Sequence, residues 1–288
     1  MYDLAALETA LAGTIFSGKL HFSHTTSSTN SDALAAARLG TPHGSVYFAD
    51  EQTAGRGRGG HAWHSAAGEG LYVSILLRPE IPAARLPLLP LAAGLAAADA
   101  IRAVSGLAVD LRWPNDLLIG PRKAGGILVE AKTQSERLPH AVAVVGIGIN
   151  VHQRAFPPGL ATPATSLDIE SGCHTSRQTL LLALLKSLER ETRALSGSGA
   201  AKAVAERMEK ASTWICGRRV EVHGPQACEG ITAGLDKNGF LRVETASGIV
   251  MVQTGGLRDI SASSSQPSAH NELELSLPIC RCKLKADS

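Results

Sequence analysis

The stretch Val109-Asp110-Leu111-Arg112-Trp113-Pro114-Asn115-Asp116-Leu117-Leu118-Ile119-Gly120-Pro121-Arg122-Lys123-Ala124-Gly125-Gly126-Ile127-Leu128-Val129-Glu130-Ala131 decides the fold. Residues 109–113 read as a short strand, and Pro114, which has no N–H to donate, stops it. That places Asn115 and Asp116 at a sheet edge. Residues 117–119 and 127–131 read as the arms of a hairpin around Gly120-Pro121-Arg122-Lys123. Lys123 enters the second arm, where Ala124-Gly125-Gly126 permits close approach. Successive strands without a helix between them break the βα alternation of a doubly wound sheet. The expected class is therefore α+β, a mixed sheet with helices packed on it.

Working outward, residues 71–77 form a nearly continuous apolar run, as in a strand covered on both faces. Residues 88–104 read as an alanine-rich, closely packed helix, and residues 141–151 as another buried strand ending in Gly146-Ile147-Gly148-Ile149-Asn150. Towards the N-terminus lie a short amphipathic helix at 3–11 and a strand at 45–50. Between them Ser27-Ser28-Thr29-Asn30-Ser31-Asp32 precedes a helical run at 33–39. Those polar residues suit an N-cap, and the same free N–H groups and hydroxyls can also meet a ligand. Residues 178–194 carry Leu180, Leu181, Leu184, Leu185 and Leu188 on one helical face, and residues 200–210 form a further helix. After Gly217 the texture changes to short alternating strands at 219–222, 228–235, 240–243 and 249–252, which suggests a small β-barrel. The expected organisation is a catalytic domain at 1–213, a C-terminal barrel at 214–262 and a disordered tail at 263–288.

Bulk properties exclude several classes. The 288 residues are 44% hydrophobic and 19% charged, enough for an ordinary globular core, and the net charge of +2 gives no reason to invoke nucleic acid or an anionic membrane. Five scattered cysteines (Cys173, Cys216, Cys228, Cys280, Cys282) argue against a disulfide scaffold, and the pair in the tail does not make a metal site. The first residues have no basic and apolar leader pattern. The most apolar window, residues 86–107, carries Pro87, Pro90, Asp99 and Arg102, so it reads as a buried helix rather than a membrane span. A soluble, cytoplasmic protein is expected.

The chemistry concentrates in Gln52-Thr53-Ala54-Gly55-Arg56-Gly57-Arg58-Gly59-Gly60-His61-Ala62-Trp63, between two strands. Glycines let the backbone approach a ligand, and guanidinium groups suit phosphate and carboxylate oxygens. Trp63 offers an aromatic wall or a latch. The loop is not a repeated RGG segment, and no Gly-Lys-Ser/Thr closes it into a Walker A loop. Gly146-Ile147-Gly148 lacks the third glycine and following helix of a dinucleotide fingerprint. No nucleophilic triad stands out, and no His or carboxylate pair has metal-ligand spacing. What recurs is phosphate-friendly equipment: Arg56, Arg58, Lys123, and polar strand ends at Asp116 and Asn150. This suits chemistry by positioning and charge stabilisation. Arg112, Arg122 and Asp110 read instead as solvated or packing charges.

Together, Ser28-Thr29-Asn30, the Gln52–Trp63 loop, Trp113-Pro114-Asn115-Asp116-Leu117, Arg122-Lys123-Ala124-Gly125-Gly126-Ile127-Leu128-Val129-Glu130 and Gly146-Ile147-Gly148-Ile149-Asn150-Val151 resemble biotin protein ligase in content and order. The resemblance covers roughly residues 25–260. It implies a class II aminoacyl-tRNA-synthetase-like catalytic fold with a small SH3-like barrel. It also implies a two-step reaction: biotin and MgATP give biotinyl-5′-AMP and pyrophosphate, and the acyl group then passes to a lysine of the biotin carboxyl carrier protein of acetyl-CoA carboxylase. By the same resemblance Ser28, Thr29, Asn30 and Gln52 hold biotin, and Gly55, Arg56, Gly57 and Arg58 cover biotinyl-adenylate. Lys123 bridges the biotin carboxylate and the α-phosphate, with Gly126 behind the ring. Trp63 and Asn150 lie at the nucleotide, and Asp116 orients or deprotonates the incoming lysine.

Two departures narrow what carries over. Gly59-Gly60-His61 stands where the family loop is more basic, and Gly255-Gly256-Leu257-Arg258 lacks the acidic residue that often follows the glycines. The 20 or so residues before the first strand leave no room for a winged helix, so the expectation is a ligase without a DNA partner, monomeric or homodimeric. A lipoate or octanoyl ligase of the same fold and a non-catalytic biotin or nucleotide sensor are the alternatives.

Overall fold

The computed structural model describes residues 2–132 and 141–260. The tail expected at 263–288, with Cys280 and Cys282, lies outside the described residues. Seven strands form one mixed sheet. Its first unit is β1 (Leu20–Thr26), α2 (Thr29–Arg38) and β2 (Ser45–Gln52), and the crossover through α2 makes β1 and β2 parallel. Every other pairing in this sheet is antiparallel: β2 with β3 (Gly70–Leu77), β3 with β7 (Val142–Asn150), and β7 back through β6 (Arg122–Lys132) and β5 (Asp116–Ile119) to β4 (Asp110–Arg112). The α+β class read from the hairpin stretch holds.

One local expectation is corrected. Pro114 does end β4, but the chain turns through Asn115 and returns as β5 with Leu111 opposite Leu117. Asp116 is thus covered on its outer side by β4, which is itself the edge strand. Asp116, expected at a sheet edge, instead belongs to a strand flanked by β4 and β6.

The sheet has two unlike faces, because side chains alternate along each strand. Val73 and Ile75 of β3, with Val145, Ile147 and Ile149 of β7, point to the main core. There they meet α3 (Leu89–Ser105), whose Leu89, Leu91, Ala92, Ala93, Leu95, Ala96 and Ala97 are buried. The small alanines let α3 lie close to the sheet, and α5 (Arg177–Ala194) packs behind it through the leucine face seen in the sequence. By composition the segment 83–105 could span a membrane, but here it is this packed core helix. On the opposite face α2 sits on Leu76, Val142 and Val144 through Ala33 and Ala37, and leaves the middle of the sheet uncovered.

Helices α1 (Leu4–Ala10) and α6 (Ala200–Ala211) match the expected segments, while the five-residue α4 (Leu167–Ser171) was not anticipated. Beyond it β8 (Cys216–His223), β9 (Cys228–Leu235), β10 (Leu241–Thr245), β11 (Gly248–Val252) and the unanticipated β12 (Gly256–Asp259) form an antiparallel sheet in the order β11-β10-β9-β8-β12. The two sheets are tied by specific bonds. The Trp113 indole N–H donates to the Gly239 carbonyl at 3.1 Å, and Asp110 accepts from the Thr213 backbone at 2.8 Å. Val220, Val222, Leu241 and Val243 of the second sheet belong to the same apolar cluster as the first.

Candidate active site

The uncovered face of the large sheet is built by register. One cross-strand row runs Arg112, Asp116, Gly126, Gly148, Tyr72, Ala49 through β4, β5, β6, β7, β3 and β2. The next row places Leu128, Gly146 and Ser74 side by side. Glycine at 126, 146 and 148 removes the side chains that would fill this face, and so creates a trough. The space is used closely. A Cβ on Gly148 would fall 2.5 Å from the Trp63 indole nitrogen, and one on Gly146 would fall 2.0 Å from Asn30 Oδ1. The cavity is lined by Ser28, Thr29, Asn30, Gln52, Arg56, Gly57, Arg58, Trp63, Lys123 and Gly126, together with Ser74, Asn115 and the trough residues.

A chain of hydrogen bonds closes one end. Gln52 Nε2 donates to Ser65 Oγ at 2.8 Å, and Gln52 Oε1 accepts from the Thr29 backbone at 2.9 Å. Thr29 and Ser74 hydroxyls are 2.7 Å apart, and Ser74 donates to Asn30 Oδ1 at 2.5 Å. Asn30 Nδ2 donates to Glu130 at 2.9 Å, and Arg56 Nη2 donates to the same oxygen at 2.6 Å. Asn30 gives its NH2 to Glu130, so its oxygen takes the Ser74 proton, and the single Thr29 hydroxyl proton has two acceptors in reach, Ser74 Oγ and, at 3.1 Å, Gln52 Oε1. Ser28, Thr29, Asn30 and Ser74 are all buried. The polar start of α2 therefore works differently from a simple cap. Ser28 occupies the N-cap position without making a side-chain cap bond, and Gln52 from the neighbouring strand satisfies the Thr29 N–H instead.

The glycine–arginine loop lies across the trough. Gly55 accepts from the Trp63 N–H at 2.8 Å, which folds the loop back on itself and leaves no room for a Cβ at position 55. The Trp63 ring lies against Gly126 and Gly148 with Lys123 Nζ 5.5 Å from its centroid, and its indole N–H is buried without a hydrogen-bond partner. Arg58 reaches the second sheet, bonding the Gly255 carbonyl and the Thr254 hydroxyl. Burial weakens the hold of Arg58 on its proton, and Asp116 partly offsets that. The C-terminal sheet thus touches the loop through Arg58.

At the other end Asp116 sits between two cations. Lys123 Nζ is 2.6 Å from Oδ1, while Arg112 donates to Oδ2 from Nε at 3.0 Å and from Nη2 at 2.6 Å. Burial alone would raise the Asp116 pKa, but the attraction and hydrogen bonds of Lys123 and Arg112 outweigh it and hold the carboxyl below its ordinary range. Arg112, read from sequence as a packing or solvated charge, is corrected: it is a partner of Asp116. Arg122 does behave as a peripheral charge, pairing with Glu170 at 2.8 Å. Asn150 does not line the cavity. Its amide donates to the Thr165 carbonyl at 2.9 Å and to the Lys123 carbonyl at 3.4 Å, so it braces the strand carrying Lys123.

Elsewhere His152, Asp168 and His174 gather around one carboxylate oxygen. The two imidazoles stack at 4.4 Å with 11° between planes. Both Nδ1 atoms face Asp168 Oδ2, at 2.8 Å from His152 and 3.4 Å from His174, so the group as arranged is a stacked pair on one shared carboxylate oxygen.

With this geometry in place, three comparisons bear on the chain. A family model described as the biotin/lipoate A/B protein ligase family matches residues 22–150. The biotin–[acetyl-CoA-carboxylase] ligase of Mycobacterium tuberculosis is 34% identical over 236 residues, covering 80% of this chain and 85% of that protein. The chain belongs to the biotin/lipoate A/B protein ligase family. Within it the relatives are biotin ligases. The bifunctional ligase/repressor BirA of Bacillus spizizenii is 40% identical over 169 residues, which cover 58% of this chain and 51% of that protein, so the chain spans about half the length of that relative. The solved biotin protein ligase from Aquifex aeolicus in complex with biotin and ATP has a TM-score of 0.70 and 29% identity, covering 84% of this chain and 98% of that one. The biotin-ligase fold expected from the motifs is therefore the fold of this member of the family.

Ser74, Ser65, Glu130 and Arg112 are the polar residues that sequence reasoning passed over as site members. Ser74 had a faint signal, a lone hydroxyl inside the apolar run 71–77. Arg112 had none, because its partner lies four residues away across a turn that only folding closes.

Proposed function

We propose that this protein activates biotin with MgATP to biotinyl-5′-AMP, releasing pyrophosphate, and transfers the biotinyl group to a lysine of the biotin carboxyl carrier protein of acetyl-CoA carboxylase or a related carboxylase. The observation that carries this reading is a glycine-floored trough with a buried hydroxyl–amide chain at one end and a cation, Lys123, at the other. A bicyclic ureido ring needs paired donors and acceptors, of the kind Ser28, Thr29, Asn30 and Gln52 carry, beside strands whose Gly126, Gly146 and Gly148 add no side chains of their own. A valerate carboxylate then needs a cation where it meets phosphate.

In the first step a biotin carboxylate oxygen bonds to the α-phosphorus as the bond from phosphorus to the bridging oxygen breaks, and pyrophosphate leaves. Two anions must be brought together, so Lys123 serves as the shared cation and Arg56 and Arg58 face the phosphates from the loop. Trp63, with Gly55 and Gly57 shaping the loop around it, covers the nucleotide and keeps water from the mixed anhydride. In the second step the carrier lysine nitrogen attacks the acyl carbon and AMP departs. Asp116 is best suited to orient the amine, since a carboxylate held at low pKa is a weak base. No carboxylate is among the described residues lining the cavity, and the two that contact its lining, Asp116 and Glu130, are already paired with protein cations. Mg²⁺ therefore enters with ATP as part of the substrate, held by phosphates and water.

The proposed setting is the cytoplasm, where the carrier is made, with neither nucleic acid nor membrane as partner and the protein acting as monomer or homodimer. Residues 1–213 are assigned the chemistry, and residues 214–262 the support of the loop edge. Incubating the protein with biotin, MgATP and a carrier domain tests the reading: one biotinyl mass increment on the carrier is expected. An increment with lipoate or octanoate in place of biotin would move the assignment to the lipoate branch. Binding without any transfer would leave a sensor.

A further inference from the structure

The activation step asks Lys123 to do two incompatible things, because its ammonium is ion-paired at 2.6 Å with a carboxylate it must leave to reach the substrate anions. Removing one partner of an enclosed pair normally strands a charge at high cost. The geometry points to Arg112 as the positioning residue that solves this: it is the standing counter-ion of Asp116, which releases Lys123 for the reacting anions while keeping Asp116 ionised and oriented. This inference rests on the ligase reading above and deepens it.

The two cations occupy different oxygens. Lys123 meets Oδ1 alone, whereas Arg112 grips Oδ2 with Nε and Nη2. When Lys123 moves, Oδ1 is freed to receive the incoming lysine, and Oδ2 remains held. Arg112 cannot follow Lys123, because it is fixed on three sides. It donates to Thr162 Oγ1 at 2.8 Å, its guanidinium lies 5.1 Å from the Trp214 ring centroid, and Asp116 is the third partner. Trp214 is in turn covered by Arg218 at 4.1 Å, itself bonded to Asp259. Among the described residues, the Lys123 ammonium meets only Asp116 and the Trp63 face. A planar fork suits the fixed role and a flexible ammonium suits the moving one. The other charged group facing Asp116 is Arg58 of the loop, whose guanidinium is engaged by Thr254 and Gly255.

Two measurements test this. First, the Asp116 carboxyl is titrated by ¹³C NMR in the resting full-length protein, in wild type, K123M and R112Q. Asp116 is expected to stay ionised at neutral pH in K123M, and its midpoint to rise further in R112Q than in K123M. A larger rise in K123M would make Lys123 the principal counter-ion and overturn the proposal. Second, pyrophosphate release in a single turnover is followed with biotin and MgATP. R112Q is expected to lose between about ten- and a hundredfold in rate with little change in the biotin concentration that half-saturates it, and in transfer to the carrier, where Asp116 orients the amine, its acid limb should move to higher pH. R112K, which keeps the charge but loses the fork, should fall between R112Q and wild type in rate. An R112K as slow as R112Q, or an R112Q with an unmoved acid limb, would reduce Arg112 to packing and sink the idea. If wild type released no pyrophosphate at all, the ligase reading would fail, while the titration would still decide the role of Arg112.

Discussion

Gly146→Ala isolates the reason the trough is paved with glycine. Gly146 sits in the middle of β7 and not in the left-handed region, so a Cβ is conformationally permitted there. On backbone grounds alone alanine would stabilise a strand by roughly 0.5–1 kcal/mol. The opposing effect is contact: the added Cβ would lie 2.0 Å from Asn30 Oδ1, 2.8 Å from its Cγ and 3.1 Å from its Nδ2. A free side chain would simply turn away, but Asn30 is pinned by Ser74 at 2.5 Å and by Glu130 at 2.9 Å. Displacing it breaks both bonds and leaves buried polar atoms unpaired, at about 1–3 kcal/mol each. After the backbone gain is subtracted, the expected net loss is about 1–5 kcal/mol. Urea unfolding should show a lower midpoint at unchanged slope. The decisive control is the cycle with Asn30→Ala, which removes the colliding group. In that background Gly146→Ala should cost less than about 1 kcal/mol, a coupling typical of touching residues. A neutral Gly146→Ala, or the same cost in both backgrounds, would refute the argument that Asn30 enforces glycine here.

Three further outcomes are expected. Lys123→Ala should lower adenylate formation roughly 10²–10³-fold while the urea midpoint moves little; ATP-dependent pyrophosphate release at near wild-type rate would remove Lys123 from its assigned place. Arg56→Gly breaks an ion pair whose side chains are 41% and 29% exposed, so its stability effect should stay within about 1 kcal/mol. Its functional effect should be leakage of biotinyl-AMP, read as biotin appearing on bystander lysines, and retained carrier selectivity would speak against the loop as a cover. Asp116→Asn tests the acid limb of stability. Because the folded carboxyl is held below its ordinary value, its contribution is present above the unfolded pKa of about 3.9 and is lost as pH falls through the lower folded value. Wild type should therefore lose stability faster than Asp116→Asn below about pH 4, and parallel curves from pH 5 to pH 2 would contradict the ion-pair account.

Much of this was legible in one dimension, for a definite reason. Strand alternation, the proline stop at Pro114 and the helical leucine face at 180–188 are local properties, carried by residues within a few positions of one another. They gave the α+β class and most of the elements. The loop from Gln52 to Trp63 and the segment Arg122–Glu130 also announce themselves, since dense glycine with basic residues has little structural use in a core. By contrast, β12 and α4 are too short to show periodicity, and both were missed. Ser28 does take the N-cap position read from the polar run, but without a side-chain cap bond, and the Thr29 N–H is satisfied by Gln52, 23 residues further on.

By itself the sequence determined which chemical groups are available and roughly which element carries each. Only the tertiary structure decided which of them share a hydrogen bond. Register across six strands turned three glycines into a floor, made Ser74 the middle of a buried polar chain, and set Arg112 and Lys123 on opposite oxygens of Asp116. The physical reason is range. Propensity and periodicity act within a turn or a pleat, whereas a buried charge responds to whatever the sheet brings within a few ångströms, whatever its distance along the chain.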